Sequence, residues 1–222
     1  MTWIQLPGAR KLRVGKIICL ARNYADHAKE MGGGVPEEPV FFLKPSTAII
    51  HDGEPVRLPR QSRHVQGEAE LAVVIGRQAK AGVRGDPLKS ILGYAAFQDI
   101  TARDLQMEAR KTGQPWTMCK GFDTFAPVSA VMPAEEVGNP QDLRITLRLN
   151  GQIVQDARTA DMVFPVTELL AYISSVMTLE RGDILATGTP AGVPDLHPGD
   201  ILETAVERVA AIRNPVVGPD EL

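Results

Sequence analysis

The alternation of polar and apolar positions is clearest where residues 67–76 run Gly67-Glu68-Ala69-Glu70-Leu71-Ala72-Val73-Val74-Ile75-Gly76. A β-strand turns successive side chains to opposite faces. Glu68 and Glu70 therefore share one face of a predicted strand, and Ala69, Leu71, Val73 and Ile75 share the other. Shorter apolar runs predict strands at 16–20, 40–43, 184–186 and 201–206, with 201–206 read as the last strand. Residues 91–97 form another apolar run, and 143–149 alternate up to Asn150-Gly151, a hairpin signal that returns the chain through Ile153.

Helical periodicity occupies three stretches. Residues 22–31 predict a short helix with Asn23 as N-cap and Gly32 as its stop, and 101–112 predict a second that ends at Gly113. Residues 161–177 give the clearest amphipathic pattern, with Val166, Leu169, Leu170, Ile173 and Met177 on one side. Residues 114–125 read as strand-like or irregular, and 51–66 as loops with short pairings. The opening residues, with Trp3, Ile4 and Leu6 before a Pro7-Gly8 turn, read as an edge strand or arm. Gly32-Gly33-Gly34 follow the first helix. Glycine loses the most conformational freedom on ordering, so this run suits a hinge on which the helix acts as a lid.

Composition narrows the class. The chain has 222 residues, 44% hydrophobic and 23% charged, enough for one large domain or two small ones with a buried core. With 24 basic and 27 acidic residues it has no cationic excess to follow a phosphate backbone, so no nucleic-acid partner is expected. It shows no apolar run of about 18 or more residues and no leader pattern, so no membrane association and a cytoplasmic location are expected. Cys19 and Cys119 are its only cysteines and both stand in apolar runs.

The chemistry-bearing residues cluster around the central strand. Two like charges roughly 6 to 7 Å apart on one strand face are either solvated or share a cation. Asp99, placed between the 91–97 run and the second helix, supplies a third acid and favours the cation. Carboxylate oxygens alone suit magnesium, manganese or calcium better than zinc. His27 and Glu30 lie three apart on one helix face, as a general-base dyad or a surface pair would. Arg103 and Gln106 share a face of the second helix, with Arg110 a further turn along. Lys120, between Cys119 and Gly121, reads as an oxyanion contact or a surface lysine. Lys44 reads as a substrate-carboxylate contact or a solvated strand end. Residues 187–193 offer backbone N–H groups and hydroxyls as a carboxylate cradle. Cys119 beside Lys120 has the setting of a thiolate nucleophile or of a small buried apolar residue. His64 reads as a structural neighbour of the acids rather than a ligand.

Five of these runs in order resemble the fumarylacetoacetate hydrolase family, in particular its short acylpyruvase-type members. They are Arg22-Asn23-Tyr24-Ala25-Asp26-His27 with Glu30-Met31, the run at 67–76, Asp99-Ile100-Thr101-Ala102-Arg103-Asp104-Leu105-Gln106, Lys120-Gly121-Phe122-Asp123 and Thr187-Gly188-Thr189-Pro190-Ala191-Gly192-Val193. The resemblance implies an α+β, mainly β fold, a mixed β-sandwich roll with a few short helices. It divides the chain into an arm at 1–15 and one catalytic domain at 16–222. It implies a homodimer that holds Mg2+ or Mn2+, with Ca2+ a possible occupant, through Glu68, Glu70 and Asp99. His27 and Glu30 become the catalytic dyad with Lys120, and Arg22, Lys44, Arg103, Gln106 and Thr189 the substrate contacts. Relatives that carry another His or acid just before the Glu-x-Glu differ from this chain, which has Gln66 there.

The chemistry so implied is hydrolysis of an acylpyruvate, a small 2-oxo acid. The acid chelates the cation, His27 activates a water that attacks the second carbonyl, and Lys120 with Gln106 or Arg103 stabilises the oxyanion. Decarboxylation of oxaloacetate and isomerisation of 2-hydroxyhepta-2,4-diene-1,7-dioate are chemically adjacent alternatives. Neither needs an activated water. A non-catalytic binder of dicarboxylates would have no use for the dyad.

Overall fold

The computed structural model describes residues 2–82 and 86–219. The ends of the expected arm and domain, Met1 and 220–222, lie outside the described residues. In chain order the first elements are β1 (Trp3–Gln5), β2 (Lys11–Arg13), β3 (Ile17–Ala21), α1 (Ala25–Glu30), β4 (Val40–Lys44), β5 (Ile49–Ile50), β6 (Val56–Arg57) and β7 (Val65–Gln66). The middle of the chain holds β8 (Ala69–Ile75), β9 (Ile91–Gln98), β10 (Thr101–Ala102), α2 (Arg103–Thr112), α3 (Thr117–Lys120), β11 (Ala126–Pro127), β12 (Met132–Pro133) and α4 (Ala134–Val137). It closes with β13 (Arg144–Leu149), β14 (Gln152–Arg158), α5 (Val166–Val176), β15 (Ile184–Ala186), β16 (Ile201–Val206) and β17 (Ala210–Val217).

The strands build a mixed six-stranded sheet, ordered β12-β9-β8-β15-β3-β4, and a five-stranded sheet, ordered β14-β13-β16-β17-β6. The main core lies between them, where Leu71, Val73 and Ile75 of β8 join Ile145, Leu147, Leu202 and Ile212 in one cluster. A second core covers the outer face of the six-stranded sheet. There Ala72 and Val74 pack with Ile17, Cys19 and Phe97 beneath Ile4, Leu6, Leu12 and Val14. The expected arm is thus an antiparallel β1–β2 pair, with Ile4 opposite Leu12, whose apolar side is folded onto the sheet.

This double coverage explains the composition of the central strand. A strand buried on both faces reads as a near-continuous apolar run, and every residue of β8 is buried. The polar face expected for it is confined to its start, at Glu68 and Glu70. The mainly β, α+β sandwich implied by the resemblance is the observed fold.

Several boundaries differ from the sequence pattern. Tyr24, not Asn23, occupies the N-cap position of α1, because the Asn23 side chain is drawn inward to Phe164 and Thr187. The second helix starts at Arg103 because Thr101 and Ala102 pair with Gln66 and Val65. Residues 114–125 contain α3, a four-residue helix, where a strand-like or irregular run was expected. The amphipathic helix begins at Val166, behind Pro165 at the N-cap position. β16 is not the last strand: the chain turns at Arg208 (φ 59) and pairs back as β17, whose Pro215 breaks the strand pattern in the sequence. Asn150 and Gly151, with φ of 52 and 82, form the expected hairpin turn between β13 and β14. Among the described residues no helix is long and apolar enough to cross a membrane.

Candidate active site

The antiparallel register of β8 and β9 brings the three acids together. Ala69 stands opposite Gln98, and the N–H of Asp99 donates to the carbonyl of Glu68 at 2.9 Å. Ligand oxygens from Glu68, Glu70 and Asp99 all lie within 4.8 Å of one another. The three residues are only 4%, 1% and 1% exposed, so they are not a solvated strand face.

Three buried cations answer them. Lys120 Nζ donates to Glu68 Oε2 at 2.9 Å and to Asp99 Oδ2 at 2.6 Å. Arg103 Nη2 pairs with Glu68 Oε1, and Lys44 Nζ lies 2.7 Å from Asp99 Oδ1. Burial alone would push the Glu68 carboxyl up, but the Lys120 ammonium and the Arg103 guanidinium outweigh it and hold Glu68 well below the usual carboxylate range. Burial would lower Lys120, yet Asp99 and Glu68 keep it charged and above its ordinary value.

Glu70 is placed differently. It accepts one hydrogen bond, from the Gly188 N–H at 2.8 Å, and pairs with no side-chain cation among the described residues. Burial, reinforced by the charges of Asp99 and Glu68, pushes its carboxyl well up. An anionic oxygen under that pressure, beside two further carboxylates and no nitrogen or sulfur donor, fits a hard divalent cation of the magnesium and manganese class.

The base dyad approaches from α1. His27 is buried and its Nδ1 lies 3.1 Å from Glu30 Oε2, while Glu30 Oε1 accepts the Gly192 N–H at 3.0 Å. The helix is positioned from its start by Asn23. Its Nδ2 donates to the carbonyls of Phe164 (3.1 Å) and Thr187 (2.8 Å), and its Oδ1 accepts the Phe164 N–H at 2.8 Å. The preceding Arg22 has a left-handed backbone, φ 57, which these bonds hold in place. At the other end the glycine run caps the helix, Gly33 N–H donating to the Ala28 carbonyl at 2.9 Å.

Residues 187–193 are docked on β8. The hydroxyls of Thr187 and Thr189 donate to the carbonyls of Leu71 and Ala69, both at 2.9 Å. Gln155, buried on β14, fixes the run from the other sheet. Its Oε1 accepts the Ala69 N–H at 3.0 Å, and its Nε2 donates to Thr189 Oγ1 (3.0 Å) and the Pro190 carbonyl (2.6 Å). The Thr189 hydroxyl hydrogen is therefore committed to β8, and the backbone N–H of Thr189, without a partner among the described residues, is the group left to offer. Gly192 has φ 96 and a side chain there would collide with the Val154 carbonyl, so this turn requires glycine.

A cavity of about 140 Å³ joins these parts. Its walls include Arg22, His27, Glu68, Glu70, Arg103, Gln106, Lys120 and Thr189, with Phe42, Trp116 and Arg110. Arg103 donates to Gln106 Oε1 and, through Nε, to Gln66 Oε1 at 2.6 Å, so the amide NH2 of Gln106 is the end left for the cavity. Gln66 in turn donates to Asp195, which also holds His64 Nε2 at 2.7 Å, away from the acids. Lys44 does not line the cavity. Its ammonium is spent on Asp99 and on the carbonyls of Ile100 (3.0 Å) and Lys120 (2.6 Å), which corrects the expected substrate contact. Cys119 is no thiolate: burial, against the pull of Lys120 and Lys44, pushes its thiol up to about 11, and its Sγ donates to the Trp116 carbonyl at 3.0 Å. Gln155 and Trp116 are site residues that the sequence pattern did not single out. Gln155 is the one buried residue of a strand otherwise exposed or half-buried, and no periodicity in the sequence marks it.

Comparison with known proteins agrees with this geometry. Residues 16–217 match the family model described as fumarylacetoacetate (FAA) hydrolase C-terminal. The mitochondrial oxaloacetate tautomerase FAHD1 of Bos taurus is 42% identical over 204 residues, spanning 92% of this chain and 92% of its own. The crystal structure of fumarylpyruvate hydrolase from Pseudomonas aeruginosa in complex with Mn2+ and pyruvate has a TM-score of 0.93 at 32% identity, covering 97% of this chain and 95% of that one. That of 2-hydroxyhepta-2,4-diene-1,7-dioate isomerase from Mycobacterium marinum gives 0.80 at 38% identity, covering 94% and 76%.

Proposed function

The chain belongs to the fumarylacetoacetate hydrolase family, and on that premise we propose that it is a metal-dependent hydrolase that cleaves a carbon–carbon bond in acylpyruvates such as fumarylpyruvate or acetylpyruvate. The observation that carries this reading is His27, which lines the same small cavity as Glu68 and Glu70 and is paired behind it with Glu30. Decarboxylation needs no activated water and isomerisation needs none either, whereas hydrolysis requires a base for it.

Glu68, Glu70 and Asp99 would hold Mg2+ or Mn2+, which when bound would supply Lewis-acid chemistry to a 2-oxo acid. The rest is done by the chain. Glu30 takes the Nδ1 proton in a hydrogen bond, which leaves Nε2 of His27 basic and stabilises the imidazolium it becomes on deprotonating water. The water oxygen bonds to the carbonyl carbon two positions beyond the 2-oxo group. Lys120 has three donors, two of them used on Glu68 and Asp99, and the third with the Gln106 amide receives the developing oxyanion. The Thr189 N–H holds the substrate carboxylate. Collapse of the tetrahedral centre breaks the carbon–carbon bond, releases the acyl group as a carboxylic acid and leaves pyruvate as its enolate, whose carbon takes the proton held by His27.

A second reading, proton transfer in oxaloacetate as in a tautomerase, is favoured by the bovine relative and would use His27 as base without attack by water. Steady-state turnover of acetylpyruvate, fumarylpyruvate and oxaloacetate with Mg2+, each with a chelator control, separates the two. Chelator-sensitive release of pyruvate and the matching acid supports the hydrolase. Conversion of oxaloacetate alone overturns it in favour of the second reading.

A further inference from the structure

Lys44, Lys120 and Arg103 are all committed to Glu68 and Asp99, yet two more guanidiniums line the same cavity. Arg110 is exposed at the mouth and has neither ion pair nor hydrogen bond among the described residues. Arg22 makes only a long contact, 3.4 Å from Nη1 to the Gly34 carbonyl. Helix α2 presents Arg103, Gln106 and Arg110 along one face at spacings of three and four, and all three line the cavity. Arg103 and Gln106 are buried and Arg110 is not, so the face runs from the acid cluster outward, over a rise of about 10 Å between Arg103 and Arg110. The inner end already supplies groups for a 2-oxo acid head. Arg110 at the outer end, and Arg22 on the same cavity lining, have no ion-pair partner among the described residues.

We propose that Arg110, with Arg22 on the lining of the same cavity, reads a second carboxylate at the far end of the substrate, so that the enzyme prefers acylpyruvates whose acyl chain ends in an acid over those ending in a methyl group. This rests on the hydrolase reading for its reaction but not for its binding preference. A guanidinium and a carboxylate pair through two parallel hydrogen bonds, and an exposed planar fork on the cavity lining is suited to that recognition. Arg110 acts here as a specificity residue with no part in bond making.

The test uses the full chain loaded with Mg2+ and two dead-end ligands with the same head, 2-oxoglutarate and 2-oxopentanoate, titrated by calorimetry. The wild-type protein is expected to bind 2-oxoglutarate about tenfold or more tightly than 2-oxopentanoate. In R110Q that ratio falls by at least about fivefold, and R110K restores part of it. The kcat/KM ratio of fumarylpyruvate to acetylpyruvate moves in the same direction. A ratio near one in the wild type, or one equal in R110Q and wild type, overturns the proposal. If no acylpyruvate is turned over the hydrolase reading fails, while the calorimetric ratio still decides the role of Arg110.

Discussion

Glu30 accepts the backbone N–H of Gly192 with one carboxylate oxygen and faces His27 Nδ1 with the other, so the base is oriented by the loop that also carries Thr189. His27 therefore acts as a unit with the 187–193 turn and, among the described residues, makes no hydrogen bond to the acids. Replacing it by Ala is expected to lower kcat for acylpyruvate hydrolysis by about 10²- to 10⁴-fold and to leave Mg2+ affinity intact by calorimetry. Loss of metal binding in H27A would contradict this division of labour.

Lys120 is the cation shared by two of the acids, and its removal leaves buried charge without a partner. K120A is expected to destabilise the metal-free protein by about 3–5 kcal/mol, read as a fall in the urea midpoint. Added Mg2+ supplies positive charge to the same oxygens and should restore more stability to K120A than it adds to the wild type. An unchanged midpoint in K120A without metal would show that the ammonium does not hold the cluster together.

Gln155 links β14 to the start of β8 and to Thr189. Q155A leaves the Ala69 N–H without its acceptor in a buried position, at a stability loss of about 1–3 kcal/mol. Because Ala69 lies between Glu68 and Glu70, the same change should weaken Mg2+ binding. Wild-type metal affinity in Q155A would reduce Gln155 to a packing residue.

Cys119 answers to pH. Burial favours the neutral thiol and moves its ionisation to about 11, whereas in an unfolded chain it ionises near about 8.5. Between those values the unfolded protein is reactive and the native one is not. Iodoacetamide at pH 9 should modify Cys119 rapidly in urea and very slowly in buffer, by mass spectrometry, and C119S should retain turnover. Fast alkylation of the native protein at pH 8 would reopen the thiolate reading.

The sequence made the central strand and its carboxylates legible because strand periodicity places Glu68 and Glu70 without reference to anything distant. Asp99 could be suspected but not placed, since its approach to Glu68 depends on the register of β8 and β9. Lys44 shows the opposite failure. A lysine at a strand end reads as solvated, and only the pairing of β3 with β4, which sets Lys44 opposite Ile17, carries it beneath Asp99. Asn23 was read as a local cap because its partners, Phe164 and Thr187, are some 140 and 160 residues away in sequence. The strand β17 is obscured in the sequence by Pro215, which in the structure stands opposite Ile201 of β16.

Burial of β8 on both faces, with strands paired along either edge, has a consequence for how the site comes apart. Backbone amides there exchange with solvent only when the whole molecule opens, because no partial opening frees a central strand. The six-residue α1 is a separate matter: it is tied by Asn23 at its start and by the Glu30 contact to Gly192 at its end. The acids thus sit at a strand that only global opening would expose, whereas the base stands on a short helix whose place depends on one contact set at each end.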